Sequence, residues 1–291
     1  MSDLEQLVAR TEQLLTRLET LLPAAHPPID WRAGTAFRWR KSGGHAYLQP
    51  VAHPHRIRLS DLRGIDRQKD AIEANTRQFV EGRTANNVLL TGARGTGKSS
   101  LIKAVLNRYA KRGLRLIEVD KHDLVDLADI VDLISARPER FIIYCDDLSF
   151  EAAEPGFKAL KVVLDGSIAA ASENLLVYAT SNRRHLMPEF MQENLEFRNV
   201  GEEIHPGETS EEKVSLSDRF GLWLSFYPFD QDAYLNIVSH WLRELGAAGR
   251  DLQVAHRAAL QWSLARGSRS GRVAWQFARD WAGRRAAPGR K

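Results

Sequence analysis

A glycine-rich segment in the first half of the chain has the residue types and spacing needed to bind a polyphosphate. It follows the apolar run Val88–Leu90, leads into a stretch with helical periodicity from Ser100, and reads Gly92-Ala93-Arg94-Gly95-Thr96-Gly97-Lys98-Ser99. In this order of strand, loop and helix, the glycines let backbone N–H groups turn inward around phosphate groups, and the helix dipole adds attraction. Lys98 is expected to reach the β- and γ-phosphates, and the Ser99 hydroxyl to ligate Mg²⁺. We therefore predict that segment 92–100 binds a nucleoside triphosphate.

Two adjacent carboxylates, Asp146 and Asp147, end the apolar run Phe141–Cys145. A buried strand of this kind would deliver Asp146 to the carboxyl edge of a parallel sheet, where ligands of open α/β folds bind. There Asp146 can hold the hydration shell of Mg²⁺ opposite Ser99. Asp147 could polarise the water that attacks the terminal phosphate. The two segments together predict a site for Mg²⁺ and a triphosphate.

The elements that would position these residues alternate between strand and helix from Leu59 to about Pro228. Five short apolar runs fit buried strands: Val88–Leu90, Leu114–Val119, Phe141–Cys145, Leu175–Ala179 and Leu222–Phe226. Stretches with a helical pattern separate them, and this alternation predicts a parallel sheet covered by helices on both faces. The predicted fold is therefore α/β, with a five-stranded parallel sheet at residues 58–228 and an all-helical unit at residues 229–291.

Residues 1–57 form a predicted extension with two features. A leucine-rich amphipathic helix opens it, and its apolar face carries Leu4, Leu7, Leu14, Leu18 and Leu21. This helix is short for an autonomous coiled coil, so docking on its own domain is preferred over pairing with another chain. A β-hairpin follows at residues 35–51, where aromatic residues alternate with arginine. That pattern suits either a nucleic-acid surface or a half-buried ribbon whose cations face water, and the second interpretation is preferred.

The composition limits the possible classes of protein. The 291 residues are 43% hydrophobic, which is enough to bury a sizeable core. A single cysteine, Cys145, excludes an intramolecular disulfide framework. No apolar run approaches the ~20 residues that span a bilayer, and the N-terminus does not resemble a signal peptide. We therefore expect a cytoplasmic protein that makes no contact with membranes.

Charge is distributed unevenly around the net value of +4. The segment 251–291 is strongly basic, and it either contacts nucleic acid or is a solvated face. Residues 188–218 are strongly acidic, and the loop 189–212 within them is either a partner-contacting loop or a solvated insertion. Sequence-specific DNA recognition is not expected, because neither a helix-turn-helix nor a zinc module is evident.

The glycine loop and the acidic strand together resemble those of the AAA+ ATPases, and further segments match the same superfamily. Leu59–Asp66 is similar to the segment that wraps the adenine base, which implies apolar contacts from Leu62 and Ile65. Leu175–Asn182 resembles the strand whose last polar residue senses the γ-phosphate. The resemblance implies that Asn182 contacts a phosphate oxygen or orients the attacking water.

Two arginine-containing segments also resemble AAA+ motifs. Leu216–Phe220 is similar to the arginine-finger segment, which implies that Arg219 reaches the γ-phosphate bound in a neighbouring subunit. Gly271–Ala274 resembles the second sensor in the helical lid of the superfamily, which implies that Arg272 contacts phosphate, with Arg269 as the other candidate. The resemblance further implies a ring of identical subunits, by default a hexamer.

Most of the chain resembles, more closely, a bacterial family of predicted AAA+ ATPases known only as a domain of unknown function. The stretches that carry this resemblance are Gly64–Lys69, Asn75-Thr76, Ala85–Leu90, Gly92–Ser100 and Cys145–Glu151. Among characterised AAA+ proteins, segment 179–184 is similar to bacterial replication initiators and helicase loaders.

The resemblance implies an ATPase that hydrolyses Mg·ATP at a subunit interface and remodels or loads a protein or nucleic-acid partner. One residue departs from the superfamily pattern, because Asp147 stands where most members have Glu. The shorter carboxylate would lie about 1 Å further from the water, and a misplacement of that size can cost ~100-fold in rate. One expectation is slow hydrolysis, or else assistance from Glu151. The alternative is an ATP-binding switch or scaffold with little or no turnover.

Overall fold

A seven-stranded sheet lies at the centre of the computed structural model, which describes residues 7, 8, 10–13, 29–150, 154–165, 173–182, 216–247 and 250–285. Its strands are β1 (Ala36–Ser42), β2 (His45–Pro50), β3 (Val88–Gly92), β4 (Leu114–Glu118), β5 (Arg140–Cys145), β6 (Leu175–Ser181) and β7 (Leu222–Phe226). They are ordered β2-β1-β4-β5-β6-β3-β7 across the sheet. Only β1 and β2 are antiparallel, and all other neighbouring strands run parallel.

The helices are α1 (Asp66–Val80), α2 (Lys98–Tyr109), α3 (Leu127–Ser135), α4 (Pro155–Asp165), α5 (Gln231–Glu244), α6 (Arg250–Ala265) and α7 (Gly271–Arg285). The last three pack on one another and form the helical lid. Along β3, Val88 and Leu90 belong to a core shared with α1 and α2, whereas Leu89 belongs to a core shared with α3 and α4. All three side chains are fully buried, because successive residues of a strand point to opposite faces of the sheet. Burial on both faces explains why this strand is an uninterrupted apolar run.

The predicted α/β fold is confirmed, and the five predicted strands are parallel neighbours in the order β4-β5-β6-β3-β7. The predicted number of strands was wrong, because the hairpin β1–β2 continues the sheet. Strand β1 pairs in parallel with β4, from Ala36 opposite Leu116 to Arg38 opposite Glu118. This long-range pairing leaves no local signal in the sequence.

The alternation of aromatic residues and arginine in the hairpin reflects burial on one side. Phe37 is fully buried and Trp39 is 5% exposed, while Arg38 and Arg40 are exposed. The indole Nε1 of Trp39 donates to Asp126 Oδ2 at 2.7 Å. These aromatic rings are therefore not available for stacking on nucleic acid, and the half-buried interpretation is confirmed for them.

Gly92 ends β3 where its backbone lies against that of β7. A Cβ atom at this position would lie 1.9 Å from the carbonyl oxygen of Phe226, and the φ angle is +120°. We expect Gly92→Ala to lower the free energy of unfolding by about 3 kcal/mol or more. The backbones of β3 and β7 would have to move apart to admit the Cβ atom, and alanine would also be strained at this positive φ angle. Gly113→Ala is the matched control, since Gly113 has a φ of +92° but no atom within 4 Å of such a Cβ.

Urea denaturation of the two variants measures this difference. The control should lose only the ~1–3 kcal/mol expected for a left-handed alanine. Equal losses in the two variants would show that the contact with Phe226 does not restrict position 92.

The described residues contain no helix that is long and apolar enough to cross a membrane. Residues 7, 8 and 10–13 are helical, and Leu7 and Val8 are 64% and 49% exposed. The rest of the predicted leucine-rich helix lies outside the described residues. So do the acidic loop 189–212 and Glu151.

Candidate nucleotide-binding site

The carboxyl ends of β3, β5 and β6 meet at one cavity of about 750 Å³. The segment Gly92–Ser99 is here called the P-loop. It begins at the last residue of β3 and ends in the first turn of α2, which starts at Lys98. Its residues from Arg94 onward line the cavity, together with Ser100, Asp146, Asp147 and Asn182. Parallel strands place all their carboxyl ends at the same edge, so residues that are distant in the chain converge there.

Lys98 is buried at the closed end of the P-loop, with 5% of its surface exposed. Its Nζ donates to the carbonyl oxygens of Gly92 and Ala93, at 2.7 and 2.8 Å, and to Oδ1 of Asn182 at 3.1 Å. Burial lowers the pKa of Lys98, and the nearby carboxylates of Asp146 and Asp147 oppose that effect. The acceptors around the ammonium group are neutral, so phosphate oxygens would bind it more strongly.

Asp146 and Ser99 form an oxygen-rich group beside the P-loop. The Ser99 hydroxyl donates to Oδ1 of Asp146 at 2.8 Å, and the Thr180 hydroxyl donates to the same atom at 2.6 Å. Burial opposes ionisation of Asp146, but hydrogen bonds, chiefly from Thr180, and the charge of Lys103 favour the carboxylate, so the pKa of Asp146 lies below its usual value. An ionised carboxylate beside a hydroxyl suits Mg²⁺, which typically binds one or two carboxylates together with phosphate and water.

The described residues contain no cluster of three or more His, Cys, Asp or Glu side chains that could hold a metal ion by themselves. Ser99 and Asp146 therefore fit Mg²⁺ only as a partial ligand set. The phosphates of a bound nucleotide and water would have to complete it. The site for Mg²⁺ and a triphosphate stays a prediction.

Asp147 has a left-handed backbone, with a φ of +53°, and no other described non-glycine residue has a positive φ. Its N–H donates to Oγ1 of Thr180 at 2.9 Å, and its Oδ1 accepts a hydrogen bond from Nδ2 of Asn182. The guanidinium Nη2 of Arg94 lies 3.8 Å from its Oδ2. Aspartate tolerates this backbone region better than most residues, and strain of this kind often accompanies function.

The cavity also has a set of apolar and aromatic lining residues. Leu62 and Ile65 line it, and they are only 8% and 4% exposed. The lid adds Phe229, Ile237, Trp241 and Trp275, and the rings of the two tryptophans lie 4.6 Å apart at 59°. Apolar and aromatic walls of this kind bind a planar base.

The tryptophans of the lid were missed in the sequence because helical spacing alone indicates a core. The one available signal was the spacing of Trp275 from Arg272, which puts both on the same side of α7. Thr180 was also missed, although it precedes Asn182 by two residues at the carboxyl end of β6.

The lid also contacts the P-loop directly. The N–H of Arg272 donates to the carbonyl oxygen of Gly95 at 3.3 Å, and Ser270 packs against Gly95. Arg272 is exposed and lines the cavity, whereas Arg269 is not among its lining residues. The lid can therefore respond to a group bound in the P-loop.

Arg219 lies away from the P-loop of its own chain. Its Nε donates to Oδ1 of Asp165 at the end of α4, and the side chain is 22% exposed. It is not among the residues that line the cavity. Three of the predicted site residues, Gly92, Ala93 and Arg219, do not line the cavity. The others do: Leu62, Ile65, Arg94–Ser100, Asp146, Asp147, Asn182 and Arg272.

The strand order β4-β5-β6-β3-β7, the P-loop before α2, the carboxylate after β5 and the helical lid define the AAA+ class of P-loop proteins. The chain belongs to the family described as "Protein of unknown function (DUF815)", whose model matches residues 32–285. The predicted resemblance to the AAA+ superfamily, and to a family of unknown function within it, is confirmed.

The chain is similar to several known proteins in sequence or in structure. The chain is 23% identical over 201 residues to the replication factor C large subunit of Methanococcus maripaludis, which covers 67% of this chain and 40% of that protein. The solved structure of Aeropyrum pernix ORC1 in complex with DNA has a TM-score of 0.53 at 18% identity, covering 78% of this chain and 62% of that one. A variant of Thermotoga maritima RuvB has a TM-score of 0.50 at 13% identity, covering 76% and 63%.

The likeness to the two solved structures concerns the fold alone. The chain also spans less than half the length of the replication factor C subunit.

Proposed function

We propose that this chain is an AAA+ ATPase that binds Mg·ATP and hydrolyses it at an interface between identical subunits. The observation that carries the proposal is the convergence of Lys98, the Ser99–Asp146 pair and the Asp147–Asn182 pair on one cavity. A phosphate-binding cation, an oxygen donor set for Mg²⁺ and a positioned carboxylate are the parts that phosphoryl transfer to water requires.

Hydrolysis needs a base that takes a proton from water, and positive charge that stabilises the phosphate group during its transfer. A water oxygen forms a bond to the γ-phosphorus while the bond from that phosphorus to the β–γ bridging oxygen breaks. Asp147 takes a proton from the water, Asn182 orients it, and the products are ADP and inorganic phosphate. Mg²⁺ held by Ser99 and Asp146 supplies positive charge next to the phosphates. Lys98 and Arg272 contact the same phosphates from the base and the lid.

Loss of the γ-phosphate would weaken the contacts that Lys98 and Arg272 make from opposite sides. The lid would then open relative to the sheet, and that motion would remodel or load a macromolecular partner. The named relatives support nucleic acid, or a protein bound to it, as the partner. The basic segment 251–291 is the part of the chain whose charge suits such a contact.

We further propose assembly into a ring, a hexamer by the default of the superfamily, in the cytoplasm. Arg219 supports assembly because it does not line the cavity of its own chain. A γ-phosphate that it contacts would therefore be bound in a neighbouring subunit. A cytoplasmic location suits the single thiol of Cys145, whose pKa burial raises to about 12, so it is unreactive.

A second function is an ATP-binding switch or scaffold with little turnover. The specific observation that favours it is the hydrogen bond from Asn182 to the carboxylate of Asp147, which would compete with the attacking water for that carboxylate. A turnover number measured with saturating Mg·ATP separates the two functions. Phosphate release well above the uncatalysed rate supports the ATPase.

Calorimetric titration with Mg·ATP tests the proposed site. Lys98→Ala is expected to weaken binding about 100-fold, because hydrogen bonds to charged groups contribute ~1.5–3 kcal/mol each. Lys111→Ala is the control, since Lys111 is exposed beyond α2 and does not line the cavity. Failure of the unmodified protein to bind adenine nucleotides would refute the proposal, and an unchanged affinity in Lys98→Ala would refute the site.

A further inference from the structure

Arg94 is the P-loop residue whose side chain extends over the cavity. The turn that carries it is held by the Thr96 hydroxyl, which donates to the carbonyl oxygen of Ala93 at 2.8 Å. The side chain of Arg94 is 76% exposed, and its Nη2 lies 3.8 Å from Oδ2 of Asp147. A fixed backbone with an extended guanidinium places a second cation, besides Lys98, at the end of the cavity where the carboxylates lie.

The ion pair between Arg94 and Asp147 is weak in this arrangement. Both side chains are more than half exposed, the separation is long, and water screens such pairs strongly. A phosphate group would bind a guanidinium more strongly, because it can accept two parallel hydrogen bonds and carries more charge. A phosphate arriving between Lys98 and Asp147 would therefore compete successfully for Arg94.

The two other arginines predicted to contact phosphate are placed differently. Arg219 is paired with Asp165 and lies outside the cavity lining of its own chain. Arg272 reaches the cavity from the lid, so its position depends on how the lid is closed. Arg94 belongs to the P-loop itself and would accompany the bound phosphates in every lid position.

We propose that Arg94 binds the γ-phosphate of ATP held in its own chain, in exchange for its ion pair with Asp147. The proposal rests on ATP being the ligand of the site. With ADP bound, no γ-phosphate competes, and Arg94 remains paired with Asp147. The P-loop thereby supplies a guanidinium from within the subunit, in addition to the one that Arg219 would donate across the interface.

Affinities for ADP and for the β,γ-imido analogue of ATP, measured by calorimetry with Mg²⁺, test this proposal. Arg94→Ala should weaken binding of the analogue about tenfold or more and change ADP binding by less than about threefold. Arg94→Lys should recover part of the loss. Arg67→Ala is the control, because Arg67 is exposed on α1 and does not line the cavity. The backbone of Arg94 is not left-handed, so alanine adds no strain there.

Each calorimetric outcome either supports the proposed role of Arg94 or overturns it. A selective loss for the analogue supports the proposal. An equal loss for both ligands, or no loss in a protein that binds both, overturns the role of Arg94 and leaves the proposed ATPase intact. A protein that binds neither ligand overturns both.

Mixing of variant subunits tests whether Arg94 acts within its own chain. In an assembly, Lys98→Ala subunits keep Arg219 and can donate it, so they should restore ATP turnover to Arg219→Ala subunits. They should not restore turnover to Arg94→Ala subunits, because those sites lack their own Arg94. Restored turnover in the second mixture would place Arg94 in the neighbour's site and overturn the proposal.

Discussion

Arg219→Ala is expected to lower ATP turnover about a thousandfold or more while leaving ATP affinity nearly unchanged. A guanidinium that reaches the γ-phosphate only in the assembled protein stabilises charge that develops during transfer, and such groups accelerate hydrolysis by ~10³–10⁵. Arg219 makes no contribution to the cavity of its own chain, so binding of ATP there should not need it. Steady-state phosphate release and calorimetry on the same samples measure the two quantities.

Asp165→Asn is the control for this substitution. Arg219 is held by Asp165 in the structure, and Asp165→Asn removes the charge of the partner while keeping the arginine. If the loss in Arg219→Ala came from a broken structural contact, Asp165→Asn would reproduce it. Turnover per subunit of the unmodified protein should also rise with protein concentration. A constant value throughout a dilution series that spans dissociation of the assembly would argue against a shared site.

Asp147→Asn should reduce turnover by ~100-fold or more and retain ATP binding. The amide cannot take a proton from water, and a positioned general base typically contributes 10²–10⁴ in rate. The local structure should survive, because asparagine also tolerates the left-handed backbone at φ +53°, and its carbonyl oxygen can still accept the hydrogen bond from Asn182. Single-turnover kinetics with Mg·ATP separate the chemical step from product release.

A wild-type rate in Asp147→Asn would assign the base to another residue, with Glu151 the first to examine. Thr180→Val provides a structural comparison. It removes the hydroxyl that is hydrogen-bonded to both Asp146 and Asp147, while both aspartates stay in the sequence. Loss of turnover in both variants, with unfolding curves unchanged in Asp147→Asn, fits a carboxylate that must be both ionised and correctly placed.

Much of the sheet could be predicted because each strand is short, apolar and bounded by polar residues. The run Phe141–Cys145 and its two carboxylates correspond to β5 and to the residues that follow it. The approach of Asp146 to Ser99 follows from parallel topology, which collects the carboxyl ends of strands at one edge. Local pattern and general topology were sufficient for this part of the fold.

The features that could not be predicted depend on contacts between distant segments. The pairing of β1 with β4 is one of them, and the tilted contact between the rings of Trp241 and Trp275 at the cavity is another. The left-handed backbone of Asp147 is a third, since the N–H of Asp147 donates to the Thr180 hydroxyl and its carboxylate accepts from Asn182. The left-handed backbone also offers a reason why position 147 carries aspartate where most AAA+ proteins have glutamate, because aspartate adopts positive φ angles more readily. The roles of Asp147, Asn182, Arg219 and Arg272 in hydrolysis stay predictions.

The hairpin alters how one border of the sheet meets other molecules. Without it, the parallel strand β4 would expose its unpaired N–H and C=O groups to any extended chain nearby. Strand β2 now forms this border instead, with exposed His45 and Gln49 and with Pro50, which has no N–H to donate, at its end. Proline and polar residues at such a border discourage addition of a foreign strand. At high protein concentration this side of the molecule should accordingly resist aggregation.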